Sequence, residues 1–277
     1  MLSTMLTDES RRGPVFRHSE DRWPVACAIG VTAIDVVMYL RVGSLGWLLA
    51  YWLLMIVPKG LLSAWSHHHQ HVPTFGSTTL NRMLELSYAL HTGFTTNTWV
   101  LHHVLGHHQN YLDQHKDESR WKRDDGRPMG LLEYTLSVAV TAYPRAYEVG
   151  KRFPRQRRQF LVFGALTALL VSGLVAYKSV AGFILFVLPM VCSLLYTSWA
   201  TYGQHCGLDA DDPFQASYNN LNTWFNRLTG NLGYHTAHHF RQGVHWSKLP
   251  EVHAKIAHQI PAHLYRKSTF DMFLPHS

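Results

Sequence analysis

The stretch LGWLLAYWLLMIVPKGLLSAWSHHHQH, Leu45–His71, decides how this chain folds. Its first part, 45–64, is an apolar run of about the 20 residues a helix needs to cross a hydrocarbon core. Its end places His67, His68, His69 and His71 immediately beyond that run. A second run, 24–42, precedes it, read as interrupted only by Asp35 and set off by a few residues around Arg41. Two such runs back to back read as a transmembrane hairpin rather than as buried soluble helices. The pattern returns at 160–177 and 181–199, joined by a short turn containing Lys178. The expected fold is therefore all-α and integral to the membrane, with four spans in two hairpins and a helical cap. Residues 1–23 read as a polar tail without the apolar core of a signal peptide, and 24–277 as a single domain.

Composition fits this reading. Of 277 residues, 47% are hydrophobic and only 16% charged, against roughly 25% charged in an average soluble protein. The net charge of +7 lies beside apolar blocks, which points to anionic lipid and not to nucleic acid. Lys and Arg crowd the tail, the 65–158 segment and the C-terminal region, while the hairpin turns hold only Arg41 and Lys178. By the positive-inside rule, both termini and the middle segment face the cytoplasm. Within that segment, 80–101 reads as a buried or half-inserted helix. Residues 131–149 read as an interfacial helix followed by Lys151, Arg152, Arg155, Arg157 and Arg158; an ordinary solvated charge run is the alternative.

Histidine carries the function. There are 20, and twelve fall in tight groups: HHHQH, HHVLGHH, HTAHH and the single His205 of TYGQHCGL. His67 and His71 stand four apart on one helix face, and His235, His238 and His239 stand at i, i+3 and i+4. In the second group, His103 is preferred to His102 because it stands four before His107, which is followed by His108. His68 and His69 point elsewhere and read as supporting or surface residues; His276 lies outside every group. Neutral imidazole suits iron, zinc and copper. Nine imidazoles exceed what one ion takes and suit two. Cys27, Cys192 and Cys206 are too scattered for a structural zinc or iron–sulfur site. A histidine-rich pair of redox metals points to oxygen activation. A membrane zinc hydrolase needs only about three histidines and leaves the others unexplained. A metal transporter needs ionisable groups along the spans, where Asp35 is the one counted.

With these residues in hand, the chain from 24 to 255 resembles the membrane fatty-acid desaturase superfamily, which also includes alkane ω-hydroxylases and carotenoid ketolases. HHHQH, HHVLGHH and HTAHH look like its three histidine boxes, and HTAHHFRQGVHWSKLP is similar to the continuation of the third. The resemblance implies two iron ions held by His67, His71, His103, His107, His108, His205, His235, His238 and His239, O₂ as co-substrate, and oxidation of a long acyl or alkyl chain. Fatty-acid desaturation is the default reaction. The glycine-bearing second box, DESR at 117–120 and TYGQHCGL are similar to the hydroxylase branch, so hydroxylation or oxidative decarboxylation is the alternative. Thr201 stands where the superfamily often has Asn. The polar end of the substrate is expected at Arg227, Arg241 or Lys248, for which plain surface or lipid contact is the rival reading. The sequence has no dinucleotide fingerprint, so electrons should come from a ferredoxin, rubredoxin or cytochrome docking on the basic face.

Overall fold

The computed structural model describes residues 15–266; Arg11, Arg12 and His276 lie outside that range. Among the described residues, four helices are long and apolar enough to cross a membrane: Ser19–Arg41, Leu45–His71, Pro154–Tyr177 and Ser179–His205. The regular α-helical part of the first is α1 (Arg22–Arg41), and the second is α2 (Leu45–His71). After α2 come α3 (Thr78–Thr92), a π-helical stretch (Val100–His107) that runs into α4 (His108–Asn110), and α5 (Leu131–Gly150). The third long helix is α6 (Pro154–Tyr177). The fourth joins α7 (Ser179–Gly182), a π-helical turn (Phe183–Val187) and α8 (Leu188–His205).

The helix α6 has the highest mean hydropathy, 2.2, shared with the fourth, yet only 11% of its apolar window is buried. Apolar side chains exposed on this scale belong against lipid. Central to the bundle is α8, which packs on α2, α3 and α5, while α1 lies on α2 and α3. Lys178, in the turn between α6 and α7, donates to the carbonyls of Tyr39 and Leu40 at 3.0 and 2.9 Å. Both inter-helix turns therefore sit at one end of the bundle, and the histidine ends of α2 and α8 at the other.

The helices of the second and fourth spans run on past 64 and 199 to His71 and His205, so the metal-type residues sit on those helices' own last turns. Two expectations need correction. The single helix expected over 80–101 is broken. Gly93 ends α3 with φ of 72°, and a Cβ there would lie 2.8 Å from the Met190 carbonyl. Only glycine takes that conformation in so tight a place. Finally, Asp35 is not the lone charge of the spans. Lys59, on α2, is 2% exposed and donates to Asp35 Oδ2 at 2.7 Å. Tyr51 donates to Asp35 Oδ1 at 2.7 Å, and His91 Nδ1 lies 3.3 Å from Oδ2. Each charge is held because the other neutralises it.

Beyond the bundle, α9 (Thr223–Thr229), α10 (His235–Phe240) and α11 (Leu249–Ile256) form a cap. It is tied by a two-stranded parallel ladder, β1 (Asn219–Asn220) with β2 (Tyr265–Arg266). The segment before α1 is not loose: Arg17 bonds the backbone of Thr74 and Phe75, and Asp21 is buried.

Candidate metal centre

Five elements deliver the nine histidines to one place. The last turn of α2 brings His67 and His71, the π-helical stretch and α4 bring His103, His107 and His108, α8 ends in His205, and α10 carries His235, His238 and His239. The π-helix explains the second box. Its i→i+5 bonding, seen where the His108 N–H meets the His103 carbonyl, stacks residues five apart. His103 and His108 thus meet with Nε2 atoms 3.0 Å apart, which an α-helix would hold on different faces.

Two groups result. Ring nitrogens of His67, His71, His103 and His238 lie within 4.8 Å of one another, as do those of His107, His205 and His239. His108 joins the first group, 3.0 Å from His238 Nε2. His235 joins the second, 3.0 Å from His205 Nε2 and 3.2 Å from His239 Nε2. The groups touch where the His108 and His239 rings stack at 4.2 Å.

The nitrogens themselves test whether metal fits. His107 Nδ1–H donates to Asp117 Oδ1 at 2.7 Å, and His205 Nδ1–H donates to the Ala216 carbonyl at 2.8 Å. With Nδ1 so engaged, each ring turns its Nε2 inward, and the two Nε2 atoms face each other at 3.3 Å. Such inward-turned nitrogens are the donor atoms a metal ion takes from imidazole. Both ring nitrogens of His71, and Nδ1 of His108, His235 and His239, are buried without a hydrogen-bond partner, an exception in a folded interior. Burial first, and then neighbouring imidazoles, hold His103, His108, His235, His238 and His239 well below the usual imidazole range. They stay neutral, the form that ligates. The residues fit a pair of metal ions.

Around the nine stands a supporting layer. Asp117 is 2% exposed and also accepts the Ser119 backbone N–H at 2.8 Å. Burial alone would raise its carboxyl, but His107 and these two hydrogen bonds outweigh it and hold it low. The motif DESR had marked this place without giving it a role. His68 and His69 are both buried, which removes the surface reading. His68 Nε2–H donates to the Thr229 carbonyl at 2.9 Å; His69 lies 2.9 Å from Thr74 Oγ1 and 3.4 Å from Glu85. Gly230, at φ of 65°, permits the first contact, since a Cβ there would stand 2.6 Å from the Trp65 ring. His102 is buried outside the two groups.

Beside His67 lies a cavity of about 60 Å³ lined mainly by apolar and small side chains, among them Gly60, Ala64, Tyr196, Ala200, Phe225 and Leu232. Thr201 lines it too, and its hydroxyl bonds the Ser198 carbonyl at 2.9 Å. None of Arg227, Arg241 and Lys248 lines this cavity. Arg227 lies over the Trp224 ring on the outer side of α9, Arg241 lies over Phe240, and Lys248 pairs with Glu251 at 2.9 Å.

The family model described as fatty acid desaturase matches residues 43–270. The match takes in all nine histidines and most of the chain, which belongs to that family and is an integral membrane protein. A search of curated proteins gives no match.

Proposed function

We propose that this member of the fatty acid desaturase family is a di-iron enzyme that uses O₂ to oxidise a long acyl or alkyl chain, with fatty-acyl desaturation as its reaction. The observation that carries the reading is the facing of nine imidazoles, eight buried and His71 half-buried, in two adjoining groups. One iron would be held by His67, His71, His103, His108 and His238, the other by His107, His205, His235 and His239. When bound, the two irons supply the activation of O₂ that no side chain can perform.

The protein's own share is orientation and exclusion. Asp117 fixes the tautomer and direction of His107, and the Ala216 carbonyl does the same for His205, so both lone pairs aim inward before metal arrives. The cavity beside His67 has room for a short length of hydrocarbon and few polar groups, so a methylene there meets the site without water. Arg227, on the outward side of the helix whose Phe225 and Thr229 line that cavity, is placed to meet a polar chain end. Four spans in two hairpins, with the histidine end of the bundle and both termini cytoplasmic, follow from the charge distribution and from the shared end of the two turns. The electrons come from a ferredoxin, rubredoxin or cytochrome.

A second reading, hydroxylation or oxidative decarboxylation, is favoured by one observation: the Asp117 of the hydroxylase-like DESR segment supports His107 directly. Two measurements test both. Metal analysis of the purified protein should give two irons per chain; a single zinc would overturn the di-iron reading. Turnover of a fatty acid under ¹⁸O₂ should give an unlabelled new double bond with chain length kept. Label in the organic product would replace desaturation by hydroxylation, and loss of one carbon as a terminal alkene by decarboxylation.

A further inference from the structure

Between the described surface and the first group of histidines runs a chain of aromatic rings that neither ligation nor substrate binding uses. Trp246, half-buried in the tail of the third box, meets Trp65 edge-on at 5.2 Å and the His68 ring at 6.4 Å. Trp65 is 9% exposed and lies 6.1 Å from His68. His68 in turn stands 5.3 Å from His67 and 6.3 Å from His238. The outer ring is held firmly. Its Nε1–H donates to Asp21 Oδ1 at 2.8 Å, and His245 Nε2 lies 3.0 Å from the same oxygen. His245 is stacked at 3.8 Å under His18. Three segments far apart in sequence thus converge to fix one indole against the path inward.

We infer that Trp246, Trp65 and His68 form the path by which electrons reach the metal centre, and that the surface around Trp246 is where a one-electron carrier protein docks. The inference rests on the di-iron reading above and assigns roles to residues that are not among the nine. Tunnelling falls off exponentially with the gap between electronic systems, so rings in near contact carry an electron where an aliphatic wall would not. The rings act as a bridge: none changes charge, and no bond forms or breaks. In each event the carrier's centre loses one electron and one ferric ion gains it; two events serve one turnover. Charges of both signs border the outer ring: the exposed Glu20 and Arg22 flank Asp21, and Lys248, two residues beyond Trp246, pairs with Glu251 at 2.9 Å. The partner is a one-electron carrier that sets an acidic group of its docking face against Arg22.

The decisive variant is Trp246→Leu in the full-length, iron-loaded protein, with Trp246→Phe as the milder companion that keeps a ring. Stopped-flow mixing with a reduced [2Fe–2S] ferredoxin that supports wild-type turnover gives the protein-driven reduction rate, and mixing with dithionite gives the chemical rate. Trp246→Leu should slow the ferredoxin-driven rate by about tenfold or more, some 1.4 kcal/mol of barrier, and Trp246→Phe by less. Iron content and the dithionite rate should stay at wild-type levels. On the metal-free protein, Arg22→Glu should weaken ferredoxin binding several-fold, while Trp246→Phe leaves it unchanged. A Trp246→Leu protein with wild-type iron and an unchanged ferredoxin-driven rate overturns the path. If Trp246→Leu loses iron, the comparison passes to Trp246→Met, which also removes the ring but fills more of its space, and an unchanged ferredoxin-driven rate there has the same meaning. Failure of the di-iron reading shows separately, as wild-type protein without iron.

Discussion

Replacing Asp117 should weaken metal binding in two distinguishable steps. Its Oδ1 accepts both His107 Nδ1–H, at 2.7 Å, and the Ser119 N–H, at 2.8 Å. Asp117→Asn can keep an oxygen at that position and hold both hydrogen bonds, so it removes the negative charge and little else. Asp117→Ala removes the charge, frees the His107 ring to turn and leaves two buried N–H groups without partners, which carries its own penalty. Losing an outer partner of a ligating histidine typically costs about 10–100-fold in metal affinity. The Asn variant belongs at the lower end and the Ala variant at the upper, or about 1.4 and 2.7 kcal/mol. Competition of the purified proteins against a chelator of known affinity, with one iron per chain followed separately from the other, measures both. The loss should fall on the iron bound by His107. An Asp117→Ala protein with wild-type affinity for both irons would refute the argument, because the 2.7 Å contact would then be idle.

Three further outcomes are expected. Lys59→Met or Asp35→Asn alone should cost about 3–5 kcal/mol, since each strands a buried charge, whereas the double variant should recover most of it; thermal unfolding in detergent checks this, and equal losses in all three would contradict it. The metal-free protein should lose stability as pH falls from 7 towards 5. The buried histidines resist protonation when folded but take protons near 6.5 when unfolded, so the unfolded state binds more protons over that range; a flat pH profile of the apparent Tm would count against it. Single cysteines at Ser44 and Asp124, in an otherwise cysteine-free protein, should label from opposite faces of the membrane, and labelling from one face would overturn the paired hairpins.

The spans were legible because hydropathy sums over a whole helix, and lipid asks nothing of a sequence but length and apolarity. The second box shows how far spacing reaches: His103 and His107, four apart, do stack at 5.0 Å, yet they fall in different groups. What spacing could not show was the π-helix. The contact between His103 and His108 depends on a backbone hydrogen-bonding pattern that no side chain announces. The break at Gly93 was hidden because its cause is the Met190 carbonyl, nearly a hundred residues away. Asp117 stood in a recognised motif, yet its role appears only once His107 is seen against it. Lys59 stands inside PKG, where a long apolar run absorbs one charge without losing its character.

That lysine also alters how the transport reading must be judged. An absence of charge from the spans no longer argues against a metal path, because Lys59 and Asp35 are there. Their surroundings do argue against it. Lys59 and Asp35 are 2% and 0% exposed, and neither lines the cavity beside His67. Asp35 is committed through both oxygens, to Tyr51 on one and to Lys59 and His91 on the other. Lys59 also reaches the Leu185 carbonyl at 3.3 Å, within the π-helical turn of the fourth long helix. There the regular ladder is widened, and lipid offers no donor to replace it. A group that serves ion passage must exchange partners; these are occupied by protein and sealed from water. The nine histidines contrast with them, since their nitrogens face one another at the end of the bundle, and four of the nine keep a buried nitrogen without a partner. An ion is wanted at that end, held in place, and the charged pair deeper in the spans holds the helices that present it.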